Sequence, residues 1–186
     1  RRPDKFRRVN NMDKLETQIK QIANGDLEAM EPVYNRTKAA VYGLALSIVR
    51  NSQDAEDIMQ ETYIRVYEAA TTYRPQGKPM AWLLRIARNL SLDRVRSNPA
   101  KELSLEEDWI LDERSDFSES SLDKLVLKTV LSELAEDERQ IVMLHSVERF
   151  KHREIADIMG IPLGTALSKY HRSLSKLKKM LEEERK

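Results

Sequence analysis

The sequence predicts an all-α protein built as two small helical domains joined by an acidic linker, the C-terminal domain being a helix-turn-helix. Three observations carry that prediction. The chain has only 5 Gly and 6 Pro in 186 residues and 34% charged positions, a composition that suits helices better than a sandwich or barrel. Apolar residues recur at three- and four-residue spacing in both the first and the last third of the chain. Between these parts, residues 98–120 lose the period amid acids, Ser and Pro. With 40% hydrophobic positions, a chain of this length can bury one modest core or two small ones.

Residues 1–11 hold five Lys/Arg and no apolar period, so they read as a tail, or as a remnant added ahead of a natural start at Met12. The first domain is expected over 12–97. Asp26 is placed to cap a helix that carries Leu27, Met30, Val33, Val41, Leu44 and Ile48, with Pro32 distorting its first turns by removing a donor. Asn51 or Ser52 caps the next helix, whose first turns hold Asp54, Glu56 and Asp57 at the positive helix end. Its buried stripe is Ala55, Ile58, Thr62, Val66 and Ala70. The opposite face, Asp57, Gln60, Glu61, Ile64 and Glu68, is either solvated or suited to a basic protein partner.

Tyr73 to Pro79 breaks the helical pattern. A short loop with an aromatic, two cations (Arg74 and Lys78) and a restricted backbone can clamp a single-stranded base, or serve as an ordinary connection. The helix that follows, Trp82 to Arg96, has two faces. Leu83, Ile86, Ala87 and Leu90 make a buried stripe, while Arg85, Arg88, Asn89, Leu92 and Arg96 line a mainly cationic side. Asn can read a base edge and Arg holds phosphate or guanine, although Arg-rich faces also occur simply as solvated surface.

The linker is placed at 98–120, with Leu105, Trp109, Ile110 and Leu111 marking a part that docks on something. The second domain, 121–186, starts with the stripe Leu122, Leu125, Val126, Thr129 and Val130 and continues through Ile141, Val142 and Leu144. A short helix with Ile155, Ala156 and Met159 then meets Gly160, which takes the left-handed turn, and Pro162, which starts a long polar and basic helix. Ser168, Lys169, His171, Arg172 and Lys176 lie on that last helix, where a helix-turn-helix meets the major groove.

The net charge of +1 conceals a segregated distribution. Residues 74–96 carry six Lys/Arg against one acid, residues 98–120 carry two against eight acids, and residues 149–181 carry eight against two. Two basic modules flanking an acidic connector point to a polyanion ligand. No long apolar run or signal-peptide pattern appears, so no membrane span is expected; the absence of Cys excludes disulfides and thiolate metal sites and fits a cytoplasmic protein. The three His form no metal-ligand cluster or nucleophile arrangement, and no glycine-rich phosphate loop is present, so neither catalysis, cofactor nor metal is expected.

Asp54-Ala-Glu-Asp-Ile-Met-Gln-Glu-Thr-Tyr-Ile-Arg65, Ala81 to Arg96, and Glu154-Ile-Ala-Asp-Ile-Met-Gly-Ile-Pro-Leu-Gly-Thr165 resemble the extracytoplasmic-function (ECF) sigma factors, group IV of the sigma-70 family, in the correct order over about residues 13–184. The resemblance implies a promoter-specificity subunit that binds core RNA polymerase, through the beta-prime clamp and the beta subunit, and recruits it to a specific regulon. It implies that Asp57, Gln60, Glu61 and Ile64 dock the clamp coiled coil. Tyr73, Arg74, Lys78, Arg85, Arg88, Asn89 and Arg96 would then capture the single-stranded -10 element, with one non-template base taken out of the stack. Ser168, His171 and Arg172, with the cations Lys169 and Lys176, would meet the duplex -35 element. The linker corresponds to the segment threaded near the polymerase active site, and an anti-sigma factor is the expected inhibitory partner. Three positions depart from the family pattern: Leu167 stands in place of a basic residue, Lys151 in place of a small hydroxyl cap worth about 1 kcal/mol, and Leu134-Ala135 in place of Leu-Pro. A freestanding helix-turn-helix regulator is the alternative reading, and a non-DNA interaction adaptor a third.

Overall fold

The computed structural model describes residues 4–75, 77–97, 133–146 and 149–183. The expected linker and the stripe from Leu122 to Val130 lie outside these residues. Seven α-helices account for the described chain: α1 Asp4–Ala23, α2 Met30–Val49, α3 Ser52–Ala69, α4 Pro79–Ser97, α5 Glu136–Ser146, α6 His152–Met159 and α7 Leu163–Glu183.

The local signals explain most helix boundaries. Asp26 accepts a hydrogen bond from the Glu28 N–H (3.1 Å), opening a 3-10 turn at Leu27–Ala29 that feeds α2. Pro32 sits in the first turn of α2, where its missing donor costs no helical bond. Arg50 ends α2 in the left-handed conformation, φ 55°, and returns its N–H to the Leu46 carbonyl. The Asn51 side chain accepts from the Asp54 N–H (2.8 Å) and starts α3. Pro79 begins α4, its φ preset for a first helical position.

Two expectations about the N-terminal helices are corrected. α1 starts at Asp4 and runs through the boundary expected at residue 12, anchored by buried Leu15, Ile19 and Ile22. A helix fixed by its last turns extends backward through polar residues without needing an apolar period there. Leu27, placed on the buried stripe of α2, is 61% exposed, because the 3-10 turn around it breaks the 3.6-residue register.

α2 is the central helix, packed against α1, α3, α4 and α5. The predicted α3 stripe of Ala55, Ile58, Thr62, Val66 and Ala70 is buried as expected. Tyr63 joins it, its hydroxyl 2.8 Å from Thr37 Oγ1, and burial pushes the phenol pKa up. α4 is packed by α2 and α3 and also by α6, so its buried surface is wider than one stripe: Leu84 and Ser91 are fully covered beside Leu83 and Ala87, and Leu92 is half-buried instead of standing on the cationic side.

In the C-terminal unit, Gly160 takes φ 67° and closes α6 with its N–H on the Ala156 carbonyl. Only a residue without Cβ adopts that turn freely. Ile155, Ile158 and Met159 of α6 are buried, as are Ile141 and Leu144 of α5. At Lys151 the missing hydroxyl cap is offset, because Glu154 reaches back to accept the Lys151 N–H at 2.7 Å. The two helical units share one continuous apolar core, with Leu83, Leu84 and Ala87 in the same cluster as Ile141, Leu144, Ile155 and Ile158.

Candidate nucleic-acid interface

A cavity of about 290 Å³ opens where the 73–79 loop meets α4, lined by Thr72, Tyr73, Arg74, Lys78, Ala81, Trp82, Arg85 and Asp157. Tyr73 and Trp82 form its aromatic wall, with ring centroids 4.9 Å apart and planes tilted by 55°. Arg74, Lys78 and Arg85 supply three cations at the rim. The folding of the loop brings these four sequence-predicted residues, Tyr73, Arg74, Lys78 and Arg85, into one place. Trp82 was legible as part of the motif but not as the partner of Tyr73, since their contact depends on how the loop returns to the helix.

The remaining residues predicted for this surface follow along α4. Asn89 and Arg96 are exposed, with Arg96 in a surface pair with Asp93 at 3.6 Å. Arg88 is half-buried, and burial lowers its pKa. Arg94, on the other side of the helix, ties α4 to α3 through Asp54 at 2.7 Å.

The C-terminal unit occupies part of this basic surface. Lys78 Nζ meets Asp157 Oδ2 at 2.6 Å, and Arg85 donates to the Asp157 carbonyl at 2.7 Å. Arg88 Nε donates to Gln140 Oε1 at 2.8 Å. A fourth contact anchors the arrangement: Arg139, 2% exposed, donates to the Ser47 carbonyl of α2 at 2.7 Å. Burial and the nearby Arg50 pull the Arg139 pKa down to about 10, although Glu136 opposes this. Asp157 and Glu154 are the two acids of the basic 149–181 block. That anomaly was the one sequence signal for Asp157; nothing in the local pattern marked Gln140 or Arg139.

On α7, Ser168, His171 and Arg172 are exposed on adjoining turns. Lys169 and Lys176 are engaged by α5, Lys169 with Asp137 and Lys176 with Glu138 at 2.8 Å. Tyr170 packs edge-on against His145 and His152, with centroids 4.5 and 4.7 Å away. On α3, Asp57, Gln60, Glu61 and Ile64 are all exposed, Ile64 at 58%, and Tyr67 extends the apolar part of that surface at 48%. Arg65 pairs with both Glu61 and Glu68 at 3.2 Å.

Residues 33–100 match the sequence profile of sigma-70 region 2 and residues 124–177 that of sigma-70, region 4. The chain is 30% identical over 168 residues to the RNA polymerase sigma factor CarQ of Myxococcus xanthus, an alignment covering 89% of this chain and 96% of CarQ. The chain belongs to the ECF sigma factors of RNA polymerase. The ECF sigma factor SigW of Bacillus subtilis is 29% identical over 184 residues, covering 91% of this sigma factor and 97% of SigW. Among solved structures, the sigma factor RpoE of Bartonella quintana, in complex with the anti-sigma factor NepR, superposes with a TM-score of 0.67 at 23% identity, over 84% of this chain and 98% of that one. This likeness carries the fold.

Membership makes the protein an alternative sigma factor, a transcription initiation factor that joins core RNA polymerase and directs it to promoters. It decides against the freestanding regulator that a helix-turn-helix alone allows. No helix among the described residues is long and apolar enough to cross a membrane.

Proposed function

We propose that the cavity walled by Tyr73 and Trp82 captures one unstacked base of the non-template -10 strand, while Arg74, Lys78, Arg85, Arg88 and Arg96 hold the flanking phosphates and Asn89 reads a base edge. The observation that carries this reading is the pairing of an aromatic wall with three cations around one opening of about 290 Å³, large enough to admit a single base. Asp57, Gln60, Glu61 and Ile64 dock the beta-prime clamp, a role supported by their common exposure. Ser168, His171 and Arg172 meet the -35 duplex. Lys169 and Lys176 join them only after leaving Asp137 and Glu138, so they contribute less than their charge implies.

In this reading the protein carries out no catalysis of its own and works in the cytoplasm with the polymerase. The -10 surface is used only once α5 and α6 move off it, because Asp157 and Gln140 occupy the positions that phosphate and base oxygens would take beside Lys78, Arg85 and Arg88. Asp57, Gln60, Glu61 and Ile64 are exposed among the described residues, which supports an order in which docking on core polymerase comes first and promoter contact second. An anti-sigma factor that clamps the two units together would hold the -10 surface shut; that the sigma factor RpoE is solved in complex with the anti-sigma factor NepR supports an anti-sigma partner.

Run-off transcription with purified core polymerase on genomic fragments tests the assignment. Asn89→Ala is expected to change the -10 sequence preference with little loss of overall affinity, whereas Arg88→Ala weakens all promoters by a similar factor of roughly ten or more, the value of one charge-assisted phosphate contact. The opposite pattern would overturn the division between reader and clamps.

A further inference from the structure

We infer that Glu16 is a positioning residue for promoter recognition: from α1, its carboxylate fastens both ends of the 73–77 turn, so that Tyr73 stands against Trp82 before any nucleic acid arrives. The inference rests on the reading of the Tyr73–Trp82 cavity as the base-capture site. Glu16 Oε2 accepts the Tyr73 hydroxyl at 3.3 Å and the Gly77 N–H at 3.2 Å. Its other oxygen, Oε1, lies 3.5 Å from Lys20 Nζ, and the side chain is only 17% exposed. One carboxylate oxygen thus joins two points of a loop that lies far from it in sequence.

The backbone is shaped to make this contact. Tyr73 leaves the preceding 3-10 turn with φ −61° and ψ 125°, its own N–H still on the Ala70 carbonyl at 3.2 Å. Gly77, whose N–H meets Glu16, adopts φ 66°, and a Cβ there would meet nothing within 4 Å, so glycine is needed for conformation and not for space. Pro75 and Pro79 narrow the freedom of the rest.

Electrostatics give a second reason to treat Glu16 as functional. An acid bonded to Tyr73, a wall of a pocket that receives a polyanion, opposes binding at long range, and Arg74, Lys78 and Arg85 line that pocket. Lys20 neutralises one side of the carboxylate. What the acid gives in return is order: a ring already seated on its neighbour loses less freedom when a base slides against it.

The test uses holoenzyme assembled from the full chain and core polymerase, with 2-aminopurine placed in turn at each non-template -10 position. In the wild type, fluorescence at one position reports capture by stacking. Glu16→Ala is expected to weaken capture at that position about fivefold to tenfold, the cost of ordering one aromatic side chain and its loop on binding, and to leave core binding unchanged. Glu16→Gln keeps an acceptor oxygen and restores most of the capture. Tyr73→Phe removes only the longer of the two bonds and costs about twofold. Combining it with Glu16→Ala adds nothing further. Wild-type capture that Glu16→Ala leaves unchanged would overturn the latch alone. So would an equal loss of core binding and of signal at every position, which marks a general tether of α1. No responsive position in the wild type would overturn the pocket reading, and the latch with it.

Discussion

Asp57, Gln60, Glu61 and Ile64 stand open on α3, whereas Lys78, Arg85 and Arg88, beside and along α4, each meet a group from α5 or α6. Both surfaces face away from the core of the first helical unit, and both are built for a larger partner. The difference lies in what the same chain can offer each of them. The C-terminal unit is basic overall, yet it presents Asp157, the carbonyl of that residue and the Gln140 amide oxygen to the α4 side. A surface made to hold phosphate oxygens accepts any well-placed oxygen, so an intrachain surrogate covers it. Among the described residues, the acidic α3 face with its aliphatic centre is met only by cations of its own unit, Arg65 at Glu61 (3.2 Å) and Arg94 at Asp57 (3.8 Å), and its residues remain exposed.

Four changes break or sharpen this contrast. Arg139→Ala has the largest expected effect. It removes a buried cation that donates to the Ser47 carbonyl across the two units, and stability in urea falls by about 2–3 kcal/mol, the range for a charge-assisted buried hydrogen bond with its packing. An unchanged unfolding midpoint would mean that the units are not held together there.

Ile64→Glu comes next, because a carboxylate at the apolar centre of a docking face is left unpaired when covered. Affinity for core polymerase should drop by roughly 10- to 30-fold, with binding of the free protein to a -10 oligonucleotide unaltered. Titration of labelled sigma factor with core reads this, and loss of both activities together would remove the separation between the two surfaces.

Asp157→Ala should act in the opposite direction. Removing the carboxylate frees Lys78 and raises the affinity of the free protein for single-stranded -10 DNA about twofold to fivefold, a small gain because the pair is half-exposed. Fluorescence anisotropy in the absence of core polymerase checks it; weaker binding would mean that Asp157 supports the pocket instead of covering it.

The smallest effect concerns the support of the helix-turn-helix. His152 has its pKa lowered from the ordinary 6.5 by burial and by the neighbouring His145 and His171. The unfolded chain therefore binds this proton more readily, and the stabilisation present above pH 6.5 is lost as the pH falls toward the folded-state value. A thermal melt should show a slight fall on acidification through this range, and His152→Phe, which cannot be protonated, should flatten it.

Much of this organisation was legible in the chain. The caps at Asp26 and Asn51, the α3 stripe and the Gly160 turn are local consequences of residue type, decided within a few positions by backbone geometry and helical period. Most residues of the α4 basic side and of the α3 acidic face could be named for the same reason, Leu92 excepted, since it packs half-buried against the core. Leu27 and the start of α1 were misread where a 3-10 turn shifts the register and where a helix continues without an apolar stripe of its own.

What sequence could not supply were the contacts between distant segments: Glu16 with Tyr73 and Gly77, Arg139 with Ser47, Asp157 with Lys78. Each depends on the packing of α1, α5 and α6 around α2 and α4, and the hydrogen-bonding capacity of a side chain does not say which partner it will find. The sequence by itself therefore determined the helical class, most helix faces and the resemblance to the family. Only the tertiary structure decided which of those faces is open and which is already filled, because periodicity fixes where a side chain points on its own helix and packing alone fixes what lies opposite.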